Sequence, residues 1–505
     1  MYALTAKAMK YVDEYTIAAG IPSAVLMENA AKGAVDEITK RFPDKSAEFL
    51  VVCSSGNNGG DAVCVARWLL HLGYSVNVYF IGTLENASEE FARQVKILAK
   101  AYPDVQIAGL RGDSDLEVIR KEYDCIIDGI FGIGLNKKIE GNYLKFIEYL
   151  NSKGGCKIAL DIPSGLNASN GHIMGTVFWA DLTVTFANYK TGMFFGYGKE
   201  ACGEVVLVDI GTIDSAYDGV GDKLTICDSD FFENNAYNAL MPRSENSHKG
   251  TYGTVGIVVS SNGMLGASML AARAAYRTGC GLVKIFCPSK YTGFFNVSIP
   301  EAVVVPYKSD DVIGALGDFT KKLDVILVGP GMKEDSTGRL IVKQILSGSI
   351  PTVLDAGALN LIAKNLKSFK RRKCECVITP HVGEMAKLCG EEVKVIDKNK
   401  IAFAAKFSEK FNVSMVLKSD TSIVSLIGRR GQDLYISTVG NSGLATAGSG
   451  DVQAGVIASL IAQGNTVNDS LLYGTIIHGR AADKFGNDED SKRKMMAGDI
   501  VDNLF

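Results

Sequence analysis

Through two long stretches of the chain, short β-branched apolar runs alternate with amphipathic helical runs, the pattern of parallel α/β domains. In the first stretch Phe49 to Cys53 predicts a strand, Ser54 to Gly60 a loop of Gly and Asn, and Asp61 to Leu72 a helix stopped at Gly73. Tyr74 to Ile81 predicts the next strand, which places that loop at the carboxyl end of the first strand of a βαβ unit. Further strands are expected to end at Asp128, Asp161 and Phe186. Between Gly211 and Lys249 the periodicity fades into Asp, Asn, Ser and Gly, so a domain boundary is expected there. The expected division is a first domain over 1–214, a linker over 215–222 and a second domain over 223–505. In the second domain Val255 to Ser260 predicts a strand and Ala267 to Thr278 a helix closed by Gly279-Cys280-Gly281. Strands follow at Leu323 to Val328, Thr352 to Asp355, Val377 to Thr379 and Ser414 to Lys418. Near the end, Gly448 to Asp451 opens a helix that runs to Gln463 and stops at Gly464, and no fixed-period repeat is visible.

Length and composition agree with two globular domains, since 505 residues exceed what one hydrophobic core serves. The net charge of −3 is near neutral, and no Lys/Arg tract is read as marking a nucleic-acid or membrane surface, so neither partner is expected. The 11 cysteines are scattered without a CxxC pair, and only 5 histidines are present, which argues against zinc or a disulfide framework. Reduced thiols in a cytoplasmic protein are the expectation. Met1-Tyr2-Ala3-Leu4-Thr5 opens directly into helix-like sequence, so no signal peptide is expected.

Gly56-Asn57-Asn58-Gly59-Gly60-Asp61 lies between a strand and a helix, where glycines admit a ligand to the backbone and the free amides of the first turn favour an anion. It is neither the dinucleotide fingerprint nor a P-loop, and a plain tight turn is an equal alternative. Asp128, followed by Gly129 to Leu135, and Asp161, followed by Ile162 to Leu166, stand at two further strand ends. A strand-end Asp is commonly a turn or cap residue. In an open parallel sheet, though, all three loops converge on one crevice, and their oxygens suit a hard cation.

These residues, with Glu28-Asn29-Ala30 and Ala180 to Phe186 plus Lys190, resemble the NAD(P)H-hydrate epimerase domain over most of residues 1–212. The resemblance implies a Rossmann-like three-layer sandwich. It implies that Asn57, Asn58, Gly59, Gly60 and Asp61, with the loop Gly132, Ile133, Gly134, Leu135, Asn136, Lys137 and Lys138, hold a hydrated nucleotide. Asn58, Asp128 and Ser164 would bind potassium, and Asp161 would contact substrate as general acid or base. Ser54-Ser55 stands where that family often has Gly-Pro.

Asn441 to Asp451 forms a second glycine-rich turn at a helix start, suited to charge on a transferring phosphoryl group, although Asp451 alone could merely complement the helix dipole. His248 to Gly253, Gly266-Ala267, Gly329 to Gly331, Leu354 to Ala356, Thr379 to His381 with Gly383-Glu384, Lys418 with Thr421, and Gly448 to Asp451 resemble, in that order, the ADP-dependent NAD(P)H-hydrate dehydratases. The resemblance implies a ribokinase-like three-layer α/β domain. Ala267, Gly331, His381, Val382, Gly383, Glu384 and Asp451 would face the hydrated nucleotide, with Asp451 the catalytic base. Lys418, Ser419, Asp420, Thr421, Ser422, Asn441, Ala447, Gly448, Ser449 and Gly450 would hold ADP or AMP, with magnesium as cofactor. Ser419 replaces a usual Gly, and Met332 follows Gly331 where Leu-Gly is usual.

Together the two resemblances imply repair of hydrated NADH and NADPH. One domain would interconvert the R and S hydrates, and the other would dehydrate the S form with ADP, giving AMP and phosphate. A homo-oligomer acting on small molecules alone is expected. The competing readings are a ribokinase-like kinase for a small hydroxymethyl vitamin precursor and a non-enzymatic binding module. The Thr379 to Glu384 loop and the fused first domain speak against the kinase, and the set Asn58, Asp128 and Asp161 speaks against the module.

Overall fold

Phe49, Leu50, Val51, Val52 and Cys53 are all fully buried, as a strand covered on both faces requires. Alternate side chains serve opposite layers. Phe49, Val51 and Cys53 pack with Ala31, Ala34 and Ile38 of helix Ser23–Arg41 and with Val63 and Ala66 of helix Asn57–His71. Leu50 and Val52 pack with Phe146, Ile147 and Leu150 of helix Gly141–Ser152 on the other side. The computed structural model describes residues 1–505 except 86, 111–118, 120, 222, 236–239, 241, 261–263 and 430.

The chain divides into Met1–Leu224 and Thr225–Phe505. In the first unit the main sheet runs Ile107–Leu110, Ser75–Ile81, Glu48–Cys53, Cys125–Gly129, Cys156–Leu160, Leu182–Phe186, Glu204–Val208, every neighbour parallel. The order reverses direction between Glu48–Cys53 and Cys125–Gly129, which opens a crevice at their carboxyl ends. A short parallel pair, Tyr2–Leu4 beside Tyr189–Lys190, precedes the helix Ala6–Ala18. Of the segment expected to link the domains, Ala216 is fully buried in this unit, and the Tyr217 hydroxyl accepts from Asn188 Nδ2 at 2.6 Å. Residue 222 of that segment lies outside the described residues.

In the second unit the strands run Val303–Tyr307, Leu282–Pro288, Thr254–Val258, Val325–Val328, Thr352–Leu354, Cys376–Ile378, Ser414–Leu417 in parallel, then Ser422–Gly428 and Gly431–Ser437 antiparallel. Val255 and Ile257 pack on one face against the helices Leu265–Thr278, Ser449–Ala462 and Val467–Phe485, while Phe286 stacks on Tyr307 and meets Phe319 of helix Val312–Phe319. Both three-layer α/β expectations hold. One boundary is corrected: the expected loop Ser54 to Gly60 gives way at Asn57, where the helix already begins. Gly59 and Gly60 lower helix propensity, yet a Cβ on Gly59 would stand 1.7 Å from the Ser54 carbonyl oxygen, so packing dictates the glycine and overrides propensity. No helix among the described residues is long and apolar enough to cross a membrane.

Candidate active sites

At the first crevice, Asp128 is fully buried near the end of its strand. It accepts hydrogen bonds from the Ser164 amide at 2.8 Å, the Ser164 hydroxyl at 2.7 Å and the Ile130 amide at 3.1 Å. Burial raises its pKa to about 6 against these three donors. The Phe131 amide donates to Ser164 Oγ at 2.7 Å, and Asn58 Nδ2 donates to the Phe131 carbonyl at 3.1 Å. The expected cation set Asn58, Asp128 and Ser164 therefore lies on one hydrogen-bonded run. Asn58 Oδ1 is buried and accepts no hydrogen bond among the described residues. A Cβ on Gly132 would meet Asn58 Cβ at 3.2 Å, so the loop that starts at Gly132 lies directly on the helix start. Leu135 and Ile133 of that loop are partly buried, and Lys138 is exposed beside Glu140 at 3.5 Å.

Asp161 follows the strand Cys156–Leu160 with φ 64°, a left-handed backbone that a non-glycine residue adopts only at a cost. Lys190, 1% exposed, donates to Asp161 Oδ1, to Thr185 Oγ1 at 2.9 Å and to the Phe186 carbonyl at 2.8 Å. Two further carboxylates feel this pair. Asp61 is pushed well above the ordinary carboxylate range by burial and by Asp161 and Asp13. Asp13, on helix Ala6–Ala18, is raised to about 7 by burial and by Asp161, with Lys190 opposing. Neither the Lys190 pairing nor Asp13 was assigned a role from the sequence. Glu28 and Asn29, by contrast, tie the fold together: Glu28 accepts from Arg67 at 2.5 Å and Trp68 at 3.0 Å, and Asn29 donates to the Ile210 carbonyl at 2.9 Å.

In the second unit, Gly448 heads the helix Ser449–Ala462 with φ +92°, and the Ser449 amide donates to the Thr446 carbonyl at 3.4 Å, so the amides of Gly450 and Asp451 form its open first turn. Asp451 is raised to about 7, first by burial and then by Asp355, with Lys418 opposing and Glu384 adding. Lys418 donates to Asp355 Oδ1 at 2.8 Å. A Cβ on Gly450 would lie 3.0 Å from Lys418 Nζ, which puts the ammonium against the cradle. Ser449 Oγ is 3.1 Å from Nε2 of the buried His478, whose pKa burial depresses to about 4.

The remaining expected residues take distinct places. His381 caps the helix Val382–Cys389: its Nδ1 accepts from the Gly383 and Glu384 amides at 3.0 and 3.3 Å, while its own amide donates to Glu384 Oε2 at 3.0 Å. Its neutral ring therefore carries the proton on Nε2. A Cβ on Gly331 would lie 3.6 Å from the Ala267 Cβ, which sets those two residues side by side. The Asn441 amide is spent shaping its loop, donating to the Ala482 and Gly486 carbonyls at 3.2 and 3.1 Å and to Asn487 Oδ1 at 2.9 Å. Asp420 pairs with Lys400 at 2.5 Å, Thr421 is buried, Ser422 opens a strand, and Ala447 is exposed. Ser419, in place of the usual Gly, closes its own turn by donating to the Thr421 carbonyl at 2.6 Å. Met332 is buried, its amide bonded to the Gly329 carbonyl at 2.9 Å.

A profile of the NAD(P)H-hydrate dehydratases matches residues 255–504, and one described as YjeF-related protein N-terminus matches residues 23–192. Over 529 aligned positions the chain is 34% identical to the bifunctional NAD(P)H-hydrate repair enzyme of Moorella thermoacetica, spanning 100% of this chain and 96% of that one. The chain belongs to the bifunctional NAD(P)H-hydrate repair enzymes. The Escherichia coli repair enzyme is 30% identical over 489 positions, 96% of this chain and 89% of its own. A solved structure of the Bacillus subtilis ADP/ATP-dependent NAD(P)H-hydrate dehydratase is 27% identical, covers 54% of this chain and 94% of its own, and has a TM-score of 0.47. The repair enzyme thus joins an N-terminal epimerase to a C-terminal dehydratase, as the order of motifs implied.

Proposed function

We propose that the first unit epimerises hydrated NADH and NADPH in the crevice of Asp61, Asp161 and Lys190, and that the second dehydrates the S epimer with ADP at the Gly448–Asp451 cradle. The observation that carries this is the pairing, in each unit, of a carboxylate and a lysine (Lys190 buried, Lys418 half-buried) at the carboxyl ends of a parallel sheet. Where neighbouring carboxylates are pushed apart in proton affinity, acid and base roles separate. Asp61 keeps its proton and serves as acid to the departing C6 hydroxyl. Asp161, held by Lys190, takes the proton from the water that returns to the opposite ring face. Potassium suits the orphaned Asn58 oxygen with Asp128 and Ser164, and when bound it supplies positive charge beside an anionic nucleotide.

In the second unit the hydroxyl is a poor leaving group until it carries a phosphoryl group. Asp451 takes the hydroxyl proton, and the amides of Gly450 and Asp451 stabilise charge on the phosphoryl group arriving from ADP. The ring nitrogen then expels phosphate to give an iminium ion, which loses a proton from C5 to solvent and so becomes the reduced nicotinamide, with AMP left behind. Magnesium would be brought by the nucleotide phosphates and, when bound, would shield their charge. The buried and half-buried thiols favour a reducing, cytoplasmic setting.

The experiment is incubation with resolved R and S hydrates and either ADP or ATP, with chromatographic readout of restored NADH. Asp451→Asn should abolish dehydration by about 10²-fold or more while epimerisation persists, in line with the loss of a general base. Asp161→Asn should do the reverse. Loss of both activities in each mutant, with the fold intact, would refute the assignment of one site to each unit.

A further inference from the structure

Asp355 sits where a helix-capping residue belongs and does not cap. It follows the strand Thr352–Leu354 and heads the helix Ala356–Ala363, yet its side chain makes no hydrogen bond to that helix's amides. Aspartate at this position ordinarily accepts such a bond. Instead the carboxylate, 2% exposed, accepts on one oxygen from Thr379 Oγ1 at 2.7 Å and from Lys418 Nζ at 2.8 Å. The lysine is fixed from behind: its amide donates to the Pro380 carbonyl at 2.8 Å, and it forms a parallel bridge with His381. Its ammonium ends 3.0 Å from the point a Cβ on Gly450 would occupy. Any side chain at 450 would press on that ammonium, so the glycine leaves room for a cation in the cradle.

We propose that Asp355 is a positioning residue of the dehydratase: it holds the Lys418 ammonium against Gly450, between the phosphoryl cradle and Asp451. This rests on Asp451 being the base. A buried ion pair is weak grounds for stability, since a well-packed apolar pair of similar volume often serves as well or better. A cation placed beside developing phosphoryl charge acts in the transition state. Asp355 keeps that cation from swinging onto Asp451 and quenching it. The charged groups facing Asp451 among the described residues are Asp355, Lys418 and Glu384, with His381 3.6 Å from Glu384 and the buried His478 behind Ser449. Asp355 and Glu384 make proton uptake by Asp451 easier, and Lys418 makes it harder.

Opposite pH shifts follow for the two partners. Dehydration requires ionised Asp451, so its rate rises with pH through the Asp451 titration. Asp355→Asn removes a negative neighbour and should move that rise to lower pH. Lys418→Met removes the cation and should move it to higher pH. The test is full-length enzyme with pure S hydrate and ADP, kcat and KM measured from pH 5 to 9 (a span of about four units). For Asp355→Asn, kcat should fall on the order of 10-fold to 100-fold, the scale of a misplaced catalytic group, with KM for the hydrate little changed. The double variant should be no worse than Lys418→Met alone, because Asp355 acts through Lys418. Thr379→Val, which frees one side of the carboxylate, should give a smaller fall and serves where Asp355→Asn folds poorly. Additive losses in the double variant, an unmoved pH rise in Asp355→Asn, or an undiminished kcat in Thr379→Val would overturn the proposal. An active Asp451→Asn would instead overturn the assignment of the base, and the two failures are distinct.

Discussion

The Lys190 ammonium bonds Asp161 from beneath, and the partner strand fixes it there: Leu4 lies in register beside Lys190 in the parallel pair that opens the chain. Because Lys190 is 1% exposed, its charge is compensated by Asp161 and two oxygens and by little water. Removing it should leave Asp161 without the cation that holds its carboxylate in place. Lys190→Met should therefore cut epimerisation by about 10²-fold, the size of a general-base loss. Dehydration of pure S hydrate by the same preparation should be unchanged. Undiminished epimerisation in the variant would separate Lys190 from the chemistry.

Asp13 adds charge to the same crevice from a helix outside the matched family segment. Its helix packs through Val12 and Met9 in a cluster that also meets Ile133 and Ala187, next to the expected substrate loop and strand end. Its negative charge helps Asp61 keep a proton. Asp13→Asn should lower the proton affinity of Asp61, so the alkaline limb of epimerisation should move to lower pH. A pH–rate profile of the variant against wild type checks the direction, and a limb that rises instead would remove Asp61 from the acid role.

Much of this was legible in the sequence because strand-end loops carry it. Asp128, Asp161, Thr379 and Lys418 each follow or end a β-branched run, and a parallel sheet gathers such positions at one edge. What stayed hidden was pairing across elements. Asp13 and Asp61 lie 48 residues apart, and nothing in helical periodicity says that the two carboxylates share a crevice. Asp355 looked like part of a motif, whereas its missing cap bond is visible only in three dimensions. His478, inside an apolar helix, carries no local signal of its contact with Ser449. The start of the helix at Asn57 was missed because two glycines weigh against helix in any propensity count.

His478 makes a stability prediction. Its folded pKa is about 4 against an ordinary 6.5, because burial disfavours the charged ring. The unfolded chain therefore binds a proton below pH 6.5 that the fold refuses until pH 4. Stability should be full above that window and decline through it, by roughly 3 kcal/mol in all from the size of the shift. His478→Asn keeps a polar partner for Ser449 and removes the titration. In urea unfolding at pH 7.5 and 5 (values about one unit above and within the window), the wild type should lose about 2 kcal/mol more than the variant. Equal losses would show that the imidazole titrates freely.

Potassium is the last outcome to argue. Asp128 is fully buried, and its three donors, two amides and a hydroxyl, are neutral. The Asn58 oxygen beside them is buried without a donor among the described residues. An uncompensated acceptor of this kind costs stability unless an ion or water meets it. A monovalent cation bound only by the folded chain should raise the melting temperature with its concentration. Replacing potassium by tetramethylammonium, which is too large to enter, should lower the melting temperature of the epimerase transition and slow epimerisation together. Asn58→Ala should abolish that ion-dependent rise while its own melting temperature in tetramethylammonium stays close to wild type. A rise of equal size in Asn58→Ala would place the ion elsewhere. The absence of any rise in the wild type would mean that water, and no cation, satisfies Asn58.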